Sequence, residues 1–363
     1  MEKIVLVHIC CSVDSHFFLQ KLKEDFPNER LVGFFYDPNI HPYSEYRLRL
    51  LDVQRSCDRL GIELIEGEYD FRAWMKAVEG YENEPEKGIR CEICFDKRFK
   101  VSAKKAREIG EKLMTTTLLV SPKKSQEQLK RIGERIAKDY GIEFVYVDYR
   151  SNGGTQLQQQ ISKKERLYRQ DYCGCFFGLT IQRNQQNRLA DELFLPIDKR
   201  VLPGSIEDRL DMYENRLRFE EKNQNYKIVR QKFLNYRLKF GWVKHKKVTI
   251  PSYILPYSVM KRRYANGKVE TQIDNIYWFN REEIRFITLD YYNQLSQSKY
   301  KSVKELIFSP PSFDVDMLIR QKIGFGLWDL SPIIVLEEVP LAKMEVLIES
   351  VAFEDLREKL VLL

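Results

Sequence analysis

Several features that would place this sequence in a common class of protein are missing. No stretch approaches the ~18 to 20 apolar residues that a membrane-spanning helix needs. The first residues lack the basic start, the long apolar run and the small-residue cleavage site of an export signal. There is no internal repeat, no low-complexity segment and no GxGxxG fingerprint for a dinucleotide. We therefore expect a globular chain in the cytoplasm that has no membrane partner and takes any electrons it transfers from an external donor.

The composition is that of a globular protein large enough for two domains. The chain has 363 residues, of which 43% are hydrophobic and 31% are charged. The formal net charge is +7, which is mild. It permits an anionic partner such as RNA, and a solvated basic surface explains it equally well.

The cysteines stand out because disulfides rarely persist in the cytoplasm. Six of the seven form three close pairs, at Cys10 and Cys11, Cys91 and Cys94, and Cys173 and Cys175. Such pairs in a reducing compartment favour thiol or metal chemistry. Cys57 has no partner nearby and is predicted to be an ordinary buried residue.

The first 200 residues alternate between short apolar runs and helical patterns. Five strands are predicted, at residues 3–9, 31–36, 62–65, 114–120 and 143–147. This alternation is typical of βαβ units, so we expect an α/β domain with a mainly parallel sheet and helices on both faces. Such folds place their chemistry at the carboxyl ends of strands, where Cys10 and Cys11 follow the first strand.

Residues 201–363 are predicted to form a smaller α+β domain. Residues 208–240 have the pattern of a long charged helical region, and strand-like runs follow at 248–255, 276–279 and 332–339. The segment 226–247 contains eight Lys or Arg, no Asp or Glu and five aromatic residues. This composition suits RNA, because cations follow phosphates and aromatic rings stack on unpaired bases. The alternative is an amphipathic helix whose aromatic residues face the core.

Iron and sulphur suit the three cysteine pairs better than zinc does. A cuboidal cluster needs four thiolates, and short cysteine segments supply them in pairs. Structural zinc usually takes two Cys-x-x-Cys knuckles, whereas here one pair is adjacent and another is separated by a single glycine. Cys10 and Cys11 can reach one site only if the strand has already ended in a turn, because successive strand residues face opposite ways.

Asp14 lies three residues after Cys11, in the same turn. A carboxylate there can complete an iron site or act as an acid when burial changes its proton affinity. It can equally cap the following helix. The turn has the outline of the Ser-Gly-Gly-x-Asp-Ser turn of ATP-pyrophosphatase enzymes, but both glycines are missing. Glycine lets backbone amides approach a phosphate closely, so the turn supports the fold and opposes an ATP site.

Five motifs together resemble the epoxyqueuosine reductase family QueH. They read HICC, FYDPNIHP, RCEIC, TTTLL and YRQDYCGC, at residues 8–11, 35–42, 90–94, 115–119 and 168–175. The resemblance runs from about residue 3 to 178 in the same order. It implies a fold of the adenine-nucleotide α-hydrolase-like type and reduction of epoxyqueuosine to queuosine at the wobble position of tRNA. It also implies a [4Fe–4S] cluster with an adjacent mononuclear iron.

The resemblance implies roles for individual residues. Cys10, Cys11, Cys91 and Cys94 would hold the cluster, and Cys173 and Cys175 with Asp14 would hold the second iron. Many relatives read Cys-Cys-Ala-Pro-Cys where this chain has Asp14 in the fifth position, which puts the ligands of the second iron in question. Asp14 is also the candidate proton donor.

Three further residues are candidates for binding the substrate. Asn39 and His41 follow the second strand at the same sheet edge as Cys11, although they can also simply stabilise a proline-bounded turn. Arg169 can pair with a phosphate or form a surface salt bridge. Two other functions remain open at this point: a cluster-dependent tRNA sulphur transferase of the ATP-pyrophosphatase group, and a zinc-stabilised RNA-binding protein.

Overall fold

The computed structural model describes residues 3–281, 283–326 and 329–363. The chain divides into two compact units. Unit 1 comprises Met1–Leu193 and Leu210–Tyr226, and unit 2 comprises Phe194–Arg209 and Lys227–Leu363. No helix in the described part of the chain combines the length and the apolar character needed to cross a membrane.

Unit 1 contains a five-stranded parallel sheet. Its strands, all close to predicted positions, are β1 (Ile4–Ile9), β2 (Arg30–Phe35), β3 (Glu63–Glu66), β4 (Leu113–Thr116) and β5 (Glu143–Phe144). Their spatial order is β3-β2-β1-β4-β5, so β1 is central and its carboxyl end meets those of β2 and β4. The fourth run is shorter than predicted, because Thr117–Val120 forms a turn of 3-10 helix.

Helices cover both faces of this sheet. Val5, Val7 and Ile9 of β1 pack on one side with the apolar residues of two helices, α1 (Ser12–Asp25) and α2 (Tyr43–Leu60). On the other side Leu6 packs with Ala106, because strand residues alternate between faces. The remaining helices of the first 193 residues are α3 (Phe71–Ala77), α4 (Ile89–Glu108), α5 (Gln126–Tyr140), α6 (Gly154–Lys164) and α7 (Phe176–Gln185). The predicted α/β class is confirmed.

Glycine residues mark one end of each of two helices in unit 1. Helix α2 ends at Leu60, and the following Gly61, with a φ of 64°, closes it in the left-handed region. Helix α4 begins at Ile89, before the second cysteine pair. The glycine, proline and charged residues before it end at Gly88, so both cysteines of the pair lie on the helix.

Unit 2 consists of two sheets and a layer of helices. One sheet has the order β10-β11-β12-β13-β8 and the other β7-β6-β14-β9. The strands are β6 (Tyr226–His245), β7 (Val248–Ile250), β8 (Tyr253–Ile254), β9 (Tyr264–Gly267), β10 (Val269–Ile273), β11 (Ile276–Phe279), β12 (Ile284–Thr288), β13 (Ile333–Leu336) and β14 (Met344–Leu362). The helices are α9 (Leu289–Ser296), α10 (Val303–Phe308) and α11 (Phe313–Ile323). This is the α+β mixture that was predicted.

The prediction of one helical region over 208–240 is wrong. Helix α8 (Ile206–Glu221) ends near Asn223, whose φ of 50° is left-handed. From Tyr226 the chain forms the 20-residue strand β6 beside β14. The charged and aromatic residues of this segment are compatible with a helix or with a strand. Pairing with β14, about 120 residues further along the chain, makes it a strand. The amphipathic-helix alternative for 226–247 is therefore excluded.

A buried carboxylate ties distant segments of unit 1 together. Asp52 on α2 is fully buried and accepts hydrogen bonds from the Ser12 hydroxyl and, at 2.6 Å, from the backbone N–H of Tyr168. It also pairs with the guanidinium of Arg216 on α8, which is fully buried too. Removing one partner of such a pair leaves an uncompensated charge in the interior.

We expect Arg216→Met to lower the free energy of unfolding by about 3 kcal/mol, since Asp52 then stays buried without its main cation. Urea denaturation of the full chain, followed by circular dichroism, measures the change. The matched control is Lys104→Met, which removes a cation that is 71% exposed and 3.9 Å from Glu108. Equal effects of the two substitutions would contradict the role given to Asp52.

Candidate metal centre

The turn after β1 brings three potential metal ligands together. Strand β1 ends at Ile9 and α1 begins at Ser12, so Cys10 and Cys11 lie in the turn as the sequence required. Their Sγ atoms are 3.8 Å apart. These two atoms and an Asp14 carboxylate oxygen all lie within 4.8 Å of one another, and all three residues are buried.

Asp14 does not cap helix α1. The N-cap residue is Cys11, and no side chain makes a capping hydrogen bond there. The Asp14 carboxylate instead accepts a hydrogen bond of 2.7 Å from the Gln158 amide of α6. Burial raises the pKa of Asp14, while hydrogen bonds from Cys11 and Gln158 oppose the rise. The carboxylate is therefore placed among the thiols, as a ligand or a proton carrier must be.

The second cysteine pair lies in the first two turns of α4. Cys91 and Cys94 are three residues apart on a helix, so their side chains share a face. The backbone N–H of Lys87 lies 3.3 Å from the Cys91 sulphur, and the helix N-terminus favours negative charge there. Burial raises the pKa of both thiols, so a metal that binds them displaces protons.

The third pair is held by a buried arginine on α2. Arg49 donates to the carbonyls of Tyr172 (2.9 Å) and Cys173 (3.2 Å) and is ion-paired with Glu45 at 2.7 Å. Both charged side chains are almost fully buried. The backbone of the pair is also fixed on its other side, where the N–H of His41 donates to the Gly174 carbonyl at 2.8 Å.

The backbone conformation and the close packing at position 174 require glycine. Its φ is 98°, in the left-handed region that disfavours side chains. An added Cβ would lie 2.8 Å from the side chain of Ile40. The close approach of the two segments includes an isolated β-bridge between Ile40 and Cys175. This turn sets the spacing of Cys173 and Cys175.

The three pairs meet at one cavity of about 160 Å³. Five of the six paired cysteines line it, and Cys11 adjoins it through Cys10. The lining residues from the sequence predictions are Cys10, Asp14, Asn39, Cys91, Cys94, Arg169, Cys173 and Cys175. The structure thus brings together residues from four separate parts of the chain at the carboxyl edge of the sheet.

The structure also gives the positions of His41 and Cys57. His41 is not among the described residues that line the cavity; its ring packs on Phe71 and Phe176, with centroids 4.8 and 5.3 Å away. Cys57 is fully buried in the main core of unit 1, as predicted, and burial raises its pKa to about 12.

Sequence reasoning missed most of the charged lining of the cavity. Cations from helix α2, helix α4 and the loop before α5 line it, namely Arg49, Arg90, Arg98, Lys123 and Lys124. Arg98 is buried and ion-paired with Asp37, and Lys124 lies 3.2 Å from Glu86. Burial acts to lower the pKa of Lys124, but the negative charges of Cys173 and Glu86 outweigh it and raise the pKa. Asp37 and Arg90 lie inside the motifs at residues 35–42 and 90–94 and could have been suspected from the sequence. The other charged residues are brought to the cavity only by the fold.

Two buried acceptors face this region without a partner among the described residues. They are Oδ2 of Asp37 and Oδ1 of Asn39, and both side chains line the cavity. Burial raises the pKa of Asp37 to about 6, against the opposing effect of Arg98. Unsatisfied buried acceptors are costly, so the cavity is suited to a guest that donates hydrogen bonds.

Comparison with known proteins gives the family. The family model described as epoxyqueuosine reductase QueH matches residues 5–180. The epoxyqueuosine reductase QueH of Helicobacter pylori is 40% identical over 370 residues, which covers 97% of this chain and 98% of that protein. The chain belongs to the epoxyqueuosine reductase QueH family. The predicted class of enzyme, an oxidoreductase, is confirmed with it.

Other QueH relatives match a smaller part of the chain. The Thermotoga maritima protein is 34% identical over 189 residues, covering 51% of this chain and 95% of its own length. The Helicobacter pylori relative therefore shares the second half as well.

Likenesses to solved structures are weak. The U34-tRNA thiolase NcsA of Methanococcus maripaludis with its [4Fe–4S] cluster has a TM-score of 0.33 at 14% identity, over 60% of this chain and 72% of that one. A predicted tRNA methyltransferase subunit of Methanocaldococcus jannaschii has 0.34 at 12%, over 53% and 93%. TM-scores this low give no information about the site of this QueH protein.

We expect Arg49→Gln to loosen the segment that carries Cys173 and Cys175. Losing charge-assisted hydrogen bonds worth about 1.5 kcal/mol or more should speed alkylation of Cys173 in the metal-free protein about tenfold. Peptide mapping by mass spectrometry after timed alkylation measures this rate.

The same substitution at Arg47, an exposed residue of the same helix, is the control. Cys57 reports global unfolding, so its rate should not change in either variant. If Cys57 and Cys173 accelerate together, Arg49 acts on overall stability and not on the loop.

Proposed function

We propose that this chain reduces the epoxide of epoxyqueuosine in tRNA to the alkene of queuosine, using a [4Fe–4S] cluster and an adjacent iron. The observation that supports this most directly is the convergence of three cysteine pairs and Asp14 on one cavity in a member of the QueH family. The tRNA and an external electron donor are the partners that the reaction requires.

The donor set fits iron and sulphide. Thiolates are the ligands of iron–sulphur clusters, and six of them exceed what a single tetrahedral zinc accepts. The cationic lining compensates the negative charge that deprotonated thiols and sulphide bring. Our assignment gives Cys10, Cys11, Cys91 and Cys94 to the cluster.

Cys173, Cys175 and Asp14 are assigned to the second iron. The two cysteines interact directly: a hydrogen bond from Cys175 holds the pKa of Cys173 well below its usual value, aided by Lys124. A lowered pKa favours the thiolate, which is the form of cysteine that binds metal ions. An Asp14 carboxylate oxygen lies within 4.8 Å of the Cys10 and Cys11 sulphurs, and Asp14 lines the same cavity as Cys173 and Cys175, which supports its inclusion in the ligand set.

Removing the epoxide oxygen takes two electrons and two protons and releases water. When bound, the iron groups supply the electron path and a Lewis-acidic position for that oxygen. The chain's own residues then orient the substrate and deliver protons. Asp14 Oδ is the proposed proton carrier while it is not bound to the second iron, because it is buried at the cavity and burial raises its pKa.

Asn39 and Arg169 are the proposed substrate contacts. The free Oδ1 of Asn39 accepts a hydrogen bond from a hydroxyl or amine of the modified base, which removes the cost of an unsatisfied buried acceptor. Arg169 is exposed and lines the cavity, which supports a contact with a phosphate of the substrate. His41 supports the loop of the third cysteine pair: its ring packs on Phe71 and its backbone N–H donates to the Gly174 carbonyl.

Protein purified without oxygen should contain about five iron and about four sulphide per chain. With a chemical reductant, it should convert epoxyqueuosine in tRNA to a nucleoside lighter by one oxygen atom, without ATP. Iron and sulphide assays and mass spectrometry of hydrolysed tRNA measure these outcomes. A colourless zinc protein, or a conversion that depends on ATP, would contradict the proposal.

The ligand assignment predicts different effects for different cysteines. Cys173→Ala should abolish conversion while most thiolate-to-iron absorbance survives, and Cys91→Ala should lose that absorbance. Cys57→Ala is the control and should keep both iron and activity, because Cys57 lies in the core away from the cavity. Loss of the whole cluster in Cys173→Ala would move Cys173 into the first ligand set.

A further inference from the structure

One sheet of unit 2 packs one of its two faces against the second sheet of that unit. The sheet β7-β6-β14-β9 packs its inner residues, including Val243, Ala265 and Val346, against Phe279 and Phe286 of the other sheet. That second sheet packs its far side against α9, α10 and α11. Helices α9, α10 and α11 therefore lie on the far side of the second sheet and not on the outer face of the first.

Strand alternation places aromatic residues on this outer face. Val243 points inward, and so does Gly241, where an added Cβ would lie 2.3 Å from the side chain of Ile254. Phe240, Trp242 and Lys244 therefore point outward. Tyr264 is outward on β9 because its neighbour Ala265 is in the core.

These outward side chains form one group, which we call the aromatic face (Phe240, Trp242, Lys244 and Tyr264). The rings of Trp242 and Tyr264 meet edge to face with centroids 6.4 Å apart. The ammonium group of Lys244 lies 4.2 Å from the Trp242 ring centre. Phe240 is 57% exposed and Tyr264 46%, so both rings are open to solvent.

The surroundings of the aromatic face are strongly basic. Residues 239–247 and 261–268 contain eight Lys or Arg and no Asp or Glu. The outward carboxylates of the intervening strand are occupied within the chain: Glu345 accepts a hydrogen bond of 3.0 Å from Tyr264, and Glu349 pairs with Arg263 at 3.4 Å. A positive field thus surrounds exposed rings.

We propose that the aromatic face binds unpaired bases of the tRNA by stacking, while the surrounding cations follow its backbone. Rings on an open sheet face with basic neighbours suit single-stranded RNA, whose bases all offer a flat face. A purely apolar partner surface would leave these cations desolvated and unpaired. This inference rests on the proposed function for the identity of the RNA, an anticodon loop.

Binding of an unmodified anticodon stem-loop to the full-length, cluster-loaded protein tests the inference. Phe240→Ala should weaken binding about tenfold at fixed salt, and Phe240→Trp should retain it. Phe308→Ala is the matched control, since Phe308 is 72% exposed on α10 of the same unit, and it should bind as the unchanged chain does. Fluorescence anisotropy of labelled RNA measures each affinity.

A second RNA and a second substitution distinguish loss of stacking from misfolding of the variant. A blunt duplex without unpaired bases should bind more weakly and should not distinguish Phe240→Ala from the unchanged chain. Tyr264→Leu keeps bulk but removes stacking, so it should weaken loop binding alone. Equal affinities for loop and duplex, or equal effects of the Phe240 and Phe308 substitutions, would overturn the inference.

The failure of this inference can be told apart from failure of the proposed function. The binding measurements need no epoxyqueuosine, and the conversion assay needs no change at Phe240. With saturating tRNA, Phe240→Ala should convert epoxyqueuosine at an unchanged kcat and a raised KM.

Discussion

The site depends on two buried carboxylates of helix α2. Asp52 accepts from Ser12, beside the first cysteine pair, and from the backbone of Tyr168, which leads to the third pair. Glu45 holds Arg49, whose guanidinium clamps the carbonyls before Gly174. Because these groups are out of water, each needs its partners to avoid the cost of an unpaired charge. One helix therefore fixes the relative position of segments more than 150 residues apart.

Charge compensation is the second constraint. Bringing six thiols and Asp14 to one small cavity is unfavourable once they ionise, since like charges oppose one another at short range. The chain meets this with buried Arg98 and largely buried Lys124, each held by a carboxylate of its own. These cations would compensate the charge of the sulphide in the proposed cluster. A positively charged lining is also suitable for an RNA substrate.

The two units serve different physical tasks. Unit 1 buries its polar groups and holds them in fixed hydrogen bonds, as a site for metals and a small reacting group requires. Unit 2 leaves aromatic rings and cations exposed on a sheet face, and this is why we propose that face as a surface for RNA. QueH relatives such as that of Thermotoga maritima match only about half of this chain.

The sequence by itself determined the parallel sheet of unit 1, the position of Cys10 and Cys11 in a turn, the six paired cysteines and the family. These follow from local patterns: apolar runs, turn residues and motif spacing. The tertiary structure alone decided that Arg49 and Arg98 line the cavity, that Cys91 and Cys94 lie on a helix, and that residues 226–245 form a strand. The reason is that burial, ion pairing and strand pairing depend on partners far along the chain, which no local pattern encodes.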